Sequence, residues 1–278
     1  MENSIEKGAL YVVGTPIGNL SDMTERAKSV LSECDFVACE DTRVSGKLLN
    51  LFGIKKSLVS YHEHNKASAA QGIIERLQNG QTGAIVTDAG MPAISDPGED
   101  LVRECKELGI KVIPVPGACA FVSALAASGF PSRRFCFEGF LPTDKKERDE
   151  VLSCYVNDKK TVIFYEAPHR LAKTLEILYS ALGDRKICLA REITKLNEEI
   201  YVTTLLEAVK EYETRTPRGE YVLIVEGTKG ETKSVFDEMT VQQHVEFYID
   251  KGLSKMDAIK ACAKDRKVPK NEIYKEFI

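Results

Sequence analysis

The chain lacks both patterns by which a strand-to-helix loop grips a phosphate. Neither G-x-G-x-x-G nor G-x-x-x-x-G-K-[ST] occurs in it. The first strand runs instead into Gly14-Thr15-Pro16-Ile17-Gly18-Asn19, where Pro16 removes a backbone donor that a phosphate cradle would use. A ligand bound beyond this strand is therefore one not held by phosphate. The eight cysteines form no C-x-x-C pair, and most sit inside apolar runs. They read as small core residues of a reducing compartment, and exclude a disulfide frame or a zinc site. His62-Glu63-His64 has no third ligand at a recognised spacing, so no metal is expected. No apolar run approaches the ~18 residues of a membrane span. Residues 1–7 are polar, without the core of a signal peptide. The expected location is the cytoplasm, with no membrane partner.

What remains is an ordinary globular composition, 43% hydrophobic and 29% charged over 278 residues, enough for two modest domains. The net charge of −4 hides an asymmetry. Residues 251–278 carry eight Lys/Arg against four Asp/Glu, a local +4, which leaves −8 on the rest. A basic tail on an acidic body points to a polyanion contact at one end.

The chain is organised around residues 87–98. Gly83-Ala84-Ile85-Val86 reads as a buried strand, and Glu99-Asp100-Leu101-Val102-Arg103-Glu104-Cys105 has helical spacing. Between them lie two glycines, two prolines and two aspartates, too long a connection for an ordinary turn. Open α/β sheets bind ligands beyond the carboxyl ends of their strands, so this reads as a binding loop. Other strands are expected over 9–13, 35–39, 57–61 and 111–115, with a helix over 66–78. Asp22 with Glu25 has the capping-box spacing and predicts a helix start. Strand ends are polar: Glu40-Asp41-Thr42-Arg43 and His62-Glu63-His64-Asn65 follow two of them. The βαβα rhythm implies a mostly parallel sheet covered on both faces.

Ser128-Gly129-Phe130-Pro131-Ser132 punctuates the chain and is taken as a domain boundary. A second α/β unit follows, with strands near 135–138, 161–165, 186–190, 199–203 and 221–226 and helices near 144–155 and 171–182. Its strand ends carry Glu166-Ala167-Pro168-His169-Arg170 and Arg191-Glu192-Ile193-Thr194-Lys195, and Gly139-Phe140-Leu141-Pro142 reads as an apolar strand-end loop. A polar linker over 227–234 leads to three short helices. Ser254 caps one over 255–265, Arg266-Lys267-Val268 turn, and Pro269 opens the last. Two such helices can form a helix-turn-helix, with Lys264, Arg266, Lys267, Lys270 and Lys275 facing a polyanion. The organisation expected is therefore an N-terminal α/β domain over 1–128, a second over 129–229 and a helical basic module over 234–278.

Six motifs in this order resemble the ribosomal RNA small-subunit methyltransferase I family of the tetrapyrrole methylase superfamily. They are Gly14-Thr15-Pro16-Ile17-Gly18-Asn19-Leu20, Glu40-Asp41-Thr42-Arg43, residues 87–98, Glu166-Ala167-Pro168-His169-Arg170, Ala190-Arg191-Glu192-Ile193-Thr194-Lys195 and Arg218-Gly219-Glu220-Tyr221. The resemblance covers nearly the whole chain. It implies two α/β domains with S-adenosylmethionine in the cleft between them, and commonly a homodimer. It also implies methylation of a cytidine ribose 2′-hydroxyl in the decoding region of 16S rRNA, within the small ribosomal subunit. By analogy the cofactor meets Pro16, the loop carrying Asp88, Ala89, Gly90, Ile94 and Ser95, the turn Ala118-Cys119-Ala120, Phe140, Leu141 and Ala190. A sulfonium cofactor has no phosphate, which agrees with the missing cradle.

A ribose hydroxyl is a weak nucleophile and gains from a nearby base. Glu40, Asp41, His62, Glu166, His169 and Glu192 are all candidates, and the sequence does not choose among them. Arg43, His62, Arg170, Arg191 and Lys195 are expected to meet RNA, Arg43 and Arg170 standing at strand ends beside no obvious partner. Two other functions share some of these features: carbon methylation of a tetrapyrrole on the same fold, and RNA binding without catalysis. The first needs neither the 40–43 cluster nor the basic tail; the second predicts no affinity for the cofactor.

Overall fold

The computed structural model describes residues 5–228, 239–266 and 268–277. The chain opens with β1 (Leu10–Val13), α1 (Glu25–Glu33), β2 (Phe36–Cys39), α2 (Thr42–Leu51), β3 (Ser57–Ser60), α3 (Lys66–Gln78), β4 (Gly83–Val86), α4 (Gly98–Glu107), β5 (Val112–Val115) and α5 (Ala120–Ser128). The five strands form one parallel sheet in the order β3-β2-β4-β1-β5. The inner strands β1, β2 and β4 are buried at every residue, as continuous apolar runs in a parallel sheet must be. Ala27 and Leu31 of α1 and Leu49 of α2 pack on one face. Ile73 and Leu77 of α3 and Leu101 and Cys105 of α4 pack on the other. The helix expected from Asp22 begins later. Leu20–Asp22 is a 3-10 turn capped by Asn19, and α1 starts at Glu25 with Thr24 as its cap, its side chain accepting from Ala27 N.

Beyond the sheet edge, the connection after β2 leads outward to β3, while that after β4 leads back across β1 to β5. Neighbouring strands whose connections depart in opposite directions leave a crevice between their carboxyl ends. Here that crevice opens between the ends of β2 and β4.

A second sheet follows: β6 (Phe135–Phe140), α6 (Lys145–Ser153), β7 (Thr161–Glu166), α7 (Leu171–Leu182), β8 (Lys186–Arg191), β9 (Glu199–Thr204), α8 (Leu205–Thr214) and β10 (Tyr221–Val225). Its order is β6-β7-β10-β8-β9, parallel only between β6 and β7. Side chains alternate between its faces. Val162, Phe164, Leu189 and Leu223 meet α7 and α8. Ile163, Cys188, Ala190 and Val222 meet Ala124 and Leu125 of α5, which thus packs on the second sheet although it precedes the 128–132 break. Gly139-Phe140 is not a loop after the strand. The register slips between Phe137 and Gly139, and β6 continues through this bulge with Gly139 at φ +66°.

The residues up to Gly227 make one compact unit and those from Thr228 a second. The second holds α9 (Val241–Asp250), α10 (Lys255–Asp265) and α11 (Lys270–Phe277) around Val245, Ile259, Cys262 and Ile273. Thr240 and Gln243 close a capping box on α9, and Ser254 caps α10. Buried His244 accepts from Arg266 Nε at its Nδ1 (3.1 Å), which leaves Nε2 to donate to Asp265 (3.3 Å). The expected linker from 229 to 234, and Lys267 in the expected turn, lie outside the described residues.

Candidate active site

The crevice between β2 and β4 is a cavity of about 410 Å³, lined by Glu40, Asp41, Thr42, Arg43, Ser60, His62 and Asp88. Its lining comes from the ends of three neighbouring parallel strands, so polar residues distant in sequence converge there. Asp41 caps α2. Its Oδ1 accepts from Arg43 N (2.8 Å) and Nε (3.1 Å), and its Oδ2 accepts from Nη2 (2.7 Å). This fork holds the Asp41 carboxyl down at about 2. Asp88 accepts from Asp41 N at 3.4 Å, yet partial desolvation at the cavity wall pushes its otherwise exposed carboxyl up. Glu40 is likewise raised, by desolvation first and then by the like charges of Asp88 and Asp96. His62 N donates to Asn65 Oδ1 (2.8 Å), and its buried Nδ1 has no hydrogen-bond partner among the described residues. No cluster of three or more His, Cys, Asp or Glu suited to a metal occurs among those residues.

Beside this cavity, the loop after β4, which carries Asp88, meets the end of β6. Thr15 and Gly90 exchange backbone hydrogen bonds (2.9 and 3.1 Å), and Thr15 Oγ1 donates to Thr87 O (3.2 Å). Asp96 Oδ1 accepts from Ala93 N (2.9 Å) and Gly98 N (2.8 Å), folding the loop back on itself. Ala93 and Ser95 are held at φ +65° and +64°, a region non-glycine residues seldom adopt, and such strain gathers at binding sites. A Cβ on Gly139 would fall 2.7 Å from Ser95 Oγ, so the bulge of β6 and the loop touch through bare backbone. Ile94 and Phe140 are exposed large apolar side chains beside this contact. Tyr165, 5.8 Å from the Phe140 ring, accepts from Phe121 N at the start of α5.

These residues fit S-adenosylmethionine. The polar groups are a hydroxyl, a carboxylate and backbone groups with no phosphate cradle, flanked by the exposed apolar side chains of Ile94 and Phe140, which suit a flat ring. Asp88, Ala89, Ile94, Ser95 and Phe140 are exposed, and Ala118, Cys119 and Ala120 are half-buried. Pro16, Gly90, Leu141 and Ala190, also expected at the cofactor, are buried as whole residues.

The expectation that Arg43 and Arg170 lack partners is overturned, and Arg191 and Lys195 are paired as well. Besides the Arg43 fork, Arg170 Nη2 donates to Leu141 O (2.7 Å) and Nε lies 3.4 Å from Glu166. Glu166 is buried and also accepts from Thr174 Oγ1 (2.6 Å) and Ala167 N (2.8 Å). Arg191 faces Glu199 at 3.5 Å. Lys195 Nζ donates to Glu192 Oε1 (2.8 Å) and lies 3.4 Å from Glu220 Oε2. Lys195 holds the Glu192 carboxyl below its usual value. His169 is exposed on the turn before α7. In the helical unit Lys264 and Lys270 are exposed, whereas Arg266 is bonded to His244 and Met239 O. Sequence reasoning missed Thr15, Ser95 against Gly139, and Tyr165 in their roles as ties. Only Asp96 carried a local signal, the Asp-Pro-Gly turn before a helix.

Comparison with known proteins places this geometry in a family. The model for Tetrapyrrole (Corrin/Porphyrin) Methylases matches residues 9–209. The chain is 51% identical over 272 residues to the ribosomal RNA small subunit methyltransferase I of Halalkalibacterium halodurans, covering 97% of this chain and 94% of that one. It is 45% identical over 276 residues to the protein of the same name from Bacillus subtilis, covering 98% and 94%. Among solved structures, the methyltransferase CobJ aligns with TM-score 0.61 at 20% identity over 82% of this chain and 97% of that one. A cobalt precorrin-4 methyltransferase aligns with TM-score 0.58 at 18% identity over 79% and 95%. At that identity the two structures speak for the fold alone.

Proposed function

The chain belongs to the ribosomal RNA small subunit methyltransferase I family within the tetrapyrrole methylases, and from that premise we propose a reaction and roles for its residues. It is an S-adenosylmethionine-dependent rRNA methyltransferase, and its acceptor is a cytidine ribose 2′-hydroxyl in the decoding region of 16S rRNA, in the small ribosomal subunit. Its domains divide as 1–128, 129–229 and a basic module over 234–278. It works in the cytoplasm as a homodimer, with no metal in the reaction.

Bound S-adenosylmethionine supplies a methyl group already activated by its sulfonium. The protein then has to orient, desolvate and take up a proton. Asp88, Ile94, Ser95, the 118–120 turn and Phe140 would hold the cofactor. The neighbouring cavity would take the acceptor ribose. Orientation of this kind is worth up to ~7–11 kcal/mol.

Among the base candidates, Asp41 is committed to Arg43 and titrates at about 2. Glu192 is committed to Lys195, and Glu166 is buried among its own partners. Glu40 has no hydrogen bond or ion pair among the described residues, and its carboxyl is raised. The reading that Glu40 accepts the 2′ proton is carried by this one observation: a raised, unengaged carboxylate in the cavity at the switch between β2 and β4. A base so placed contributes about 10²–10⁴-fold. Arg43, on the rim and largely exposed, meets a phosphate. The test is to map ribose methylation of 16S rRNA with the wild-type protein and with Glu40→Gln, using uroporphyrinogen as the competing acceptor. Methylation of the porphyrinogen and none of the RNA would sink the proposal.

A further inference from the structure

The Arg191-Glu192-Ile193-Thr194-Lys195 segment was expected to supply a base and two RNA contacts, and its geometry suits neither role. Lys195 Nζ stands between two carboxylates, 2.8 Å from Glu192 and 3.4 Å from Glu220. An approaching phosphate meets a cluster whose net charge is negative, with the Glu220 carboxylate as its most exposed member. The segment is instead built to be rigid. Glu192 and Thr194 sit at φ +52° and +69°, the latter a rare conformation for a β-branched residue. Glu192 N donates to Glu220 O (3.1 Å), Glu220 N donates back to Glu192 Oε1 (3.2 Å), and Thr194 N donates to Glu198 Oε2 (2.6 Å). Glu192 lies on the bare backbone of Gly219, where a Cβ would fall 2.4 Å from its Cγ.

What this frame grips is the loop after β1. The Lys195 stem lies across Gly18: a Cβ there would fall 2.3 Å from Lys195 Cγ and 3.0 Å from Thr194 Oγ1. The Cγ cannot swing aside cheaply, because Nζ is pinned at the far end. One residue earlier, Ile17 packs in the cluster that contains Ile193. Two residues earlier again, Thr15 exchanges backbone hydrogen bonds with Gly90 of the loop after β4. Lys195, Gly18, Thr15 and Gly90 thus form one mechanical series, running from the second sheet to the loop assigned to the cofactor.

We propose that Lys195, clamped by Glu192 and Glu220, is a positioning residue that fixes the β1 loop and through it the 88–95 loop, so that it sets cofactor affinity and makes no contact with RNA. This rests on the cofactor assignment above. Neutral Lys195→Met should raise the KM for S-adenosylmethionine about tenfold, with a smaller change in kcat and an unchanged KM for ribosomal subunits. Lys195→Arg, which keeps a cation between the two carboxylates, should recover most of the loss. Gly18→Ala should show the same defect. In a Lys195→Ala background, where the clashing Cγ is gone and only the 3.0 Å approach to Thr194 Oγ1 remains, Gly18→Ala should add much less than it does alone, so the pair is non-additive.

Binding of S-adenosylhomocysteine by calorimetry and of small subunits across a salt series read the two sides separately. If Lys195→Met leaves cofactor affinity intact and flattens the salt slope of subunit binding by about 0.7–0.9, Lys195 is an RNA contact and the proposal is overturned. Additive effects of Gly18→Ala and Lys195→Ala overturn it as well. Failure of the wild-type protein to bind S-adenosylhomocysteine would strike the cofactor assignment instead, and is read before any variant.

Discussion

Replacing Arg170 with alanine should unsettle the fold before it touches RNA binding. The guanidinium bridges Leu141 O (2.7 Å) and Glu166 (3.4 Å), and the Glu166 side chain is wholly buried. Removing one partner of a buried ion pair costs ~3–5 kcal/mol when the other charge is left bare. Glu166 is not left bare: Thr174 Oγ1 and Ala167 N still donate to it, and Arg170 itself is 28% exposed. The loss then resembles that of one or two charge-assisted hydrogen bonds, about 2 kcal/mol. In a unit of this size that lowers Tm by about 4–8 °C. Arg43→Ala is the control. Its fork to Asp41 is a surface pair, and such pairs contribute little, so Tm should stay put while subunit binding weakens and its salt slope flattens. Thermal unfolding of both variants, with subunit binding measured across a salt series, decides the matter. Equal melting of Arg170→Ala and wild type, with the RNA defect in Arg170→Ala, would falsify the reasoning.

If Glu40 takes the proton, the rate should rise with pH through a carboxylate pKa above the ordinary 4.5, because the base works only when ionised. Glu40→Gln should remove that limb and leave S-adenosylhomocysteine affinity unchanged. Gly139→Ala places a Cβ at φ +66° and against Ser95 Oγ; it should cost about 1–2 kcal/mol from backbone strain alone and weaken the cofactor, and undiminished affinity would speak against the Ser95 contact. A chain truncated after Gly227, where the first unit ends, should fold and bind S-adenosylhomocysteine but bind subunits with a shallower salt slope. A lower Tm with an unchanged slope would make the tail a stability element. The Lys195 clamp should hold at neutral pH and weaken on both sides: Glu192, depressed, loses its share as pH falls through a pKa below 4.5, and Lys195, raised, loses its share above 10.5. Cofactor binding followed from pH 4 to about 11 reads both limbs.

Helices α3, α7 and α10 and strand β4 were legible to the residue, because apolar spacing and polar punctuation agree there. Helix α8 was not. Thr204 both ends β9 and caps α8, so no Gly or Pro marks the change. The end of β6 was misplaced because Gly139 resembles a stop and acts as a bulge. The site was legible as a set of strand ends, since a parallel sheet puts them on one edge whatever their order. Its charges were not. Whether Arg170 or Lys195 is free depends partly on near neighbours at helical spacing, Glu166 and Glu192, and partly on Leu141 and Glu220, 29 and 25 residues away, which nothing local announces.

The strand order has a bearing on how the chain is made. Within its sheet β1 pairs only with β4 and β5, whereas β2 and β3 pair with each other. A nascent chain can join β2 to β3 early, but β1 waits more than seventy residues for Gly83 to reach Leu10. Such distant pairing is slow and leaves edges open meanwhile. The strand that ends the wait is β4, and the 88–95 loop is the next stretch to emerge. A ligand of that loop can therefore act only once β4 has been made, with β5 still to come. At a hundred times its Kd a ligand that binds only the folded chain stabilises it by about 2.7 kcal/mol, so the methyl donor should oppose reopening of the sheet once that is complete.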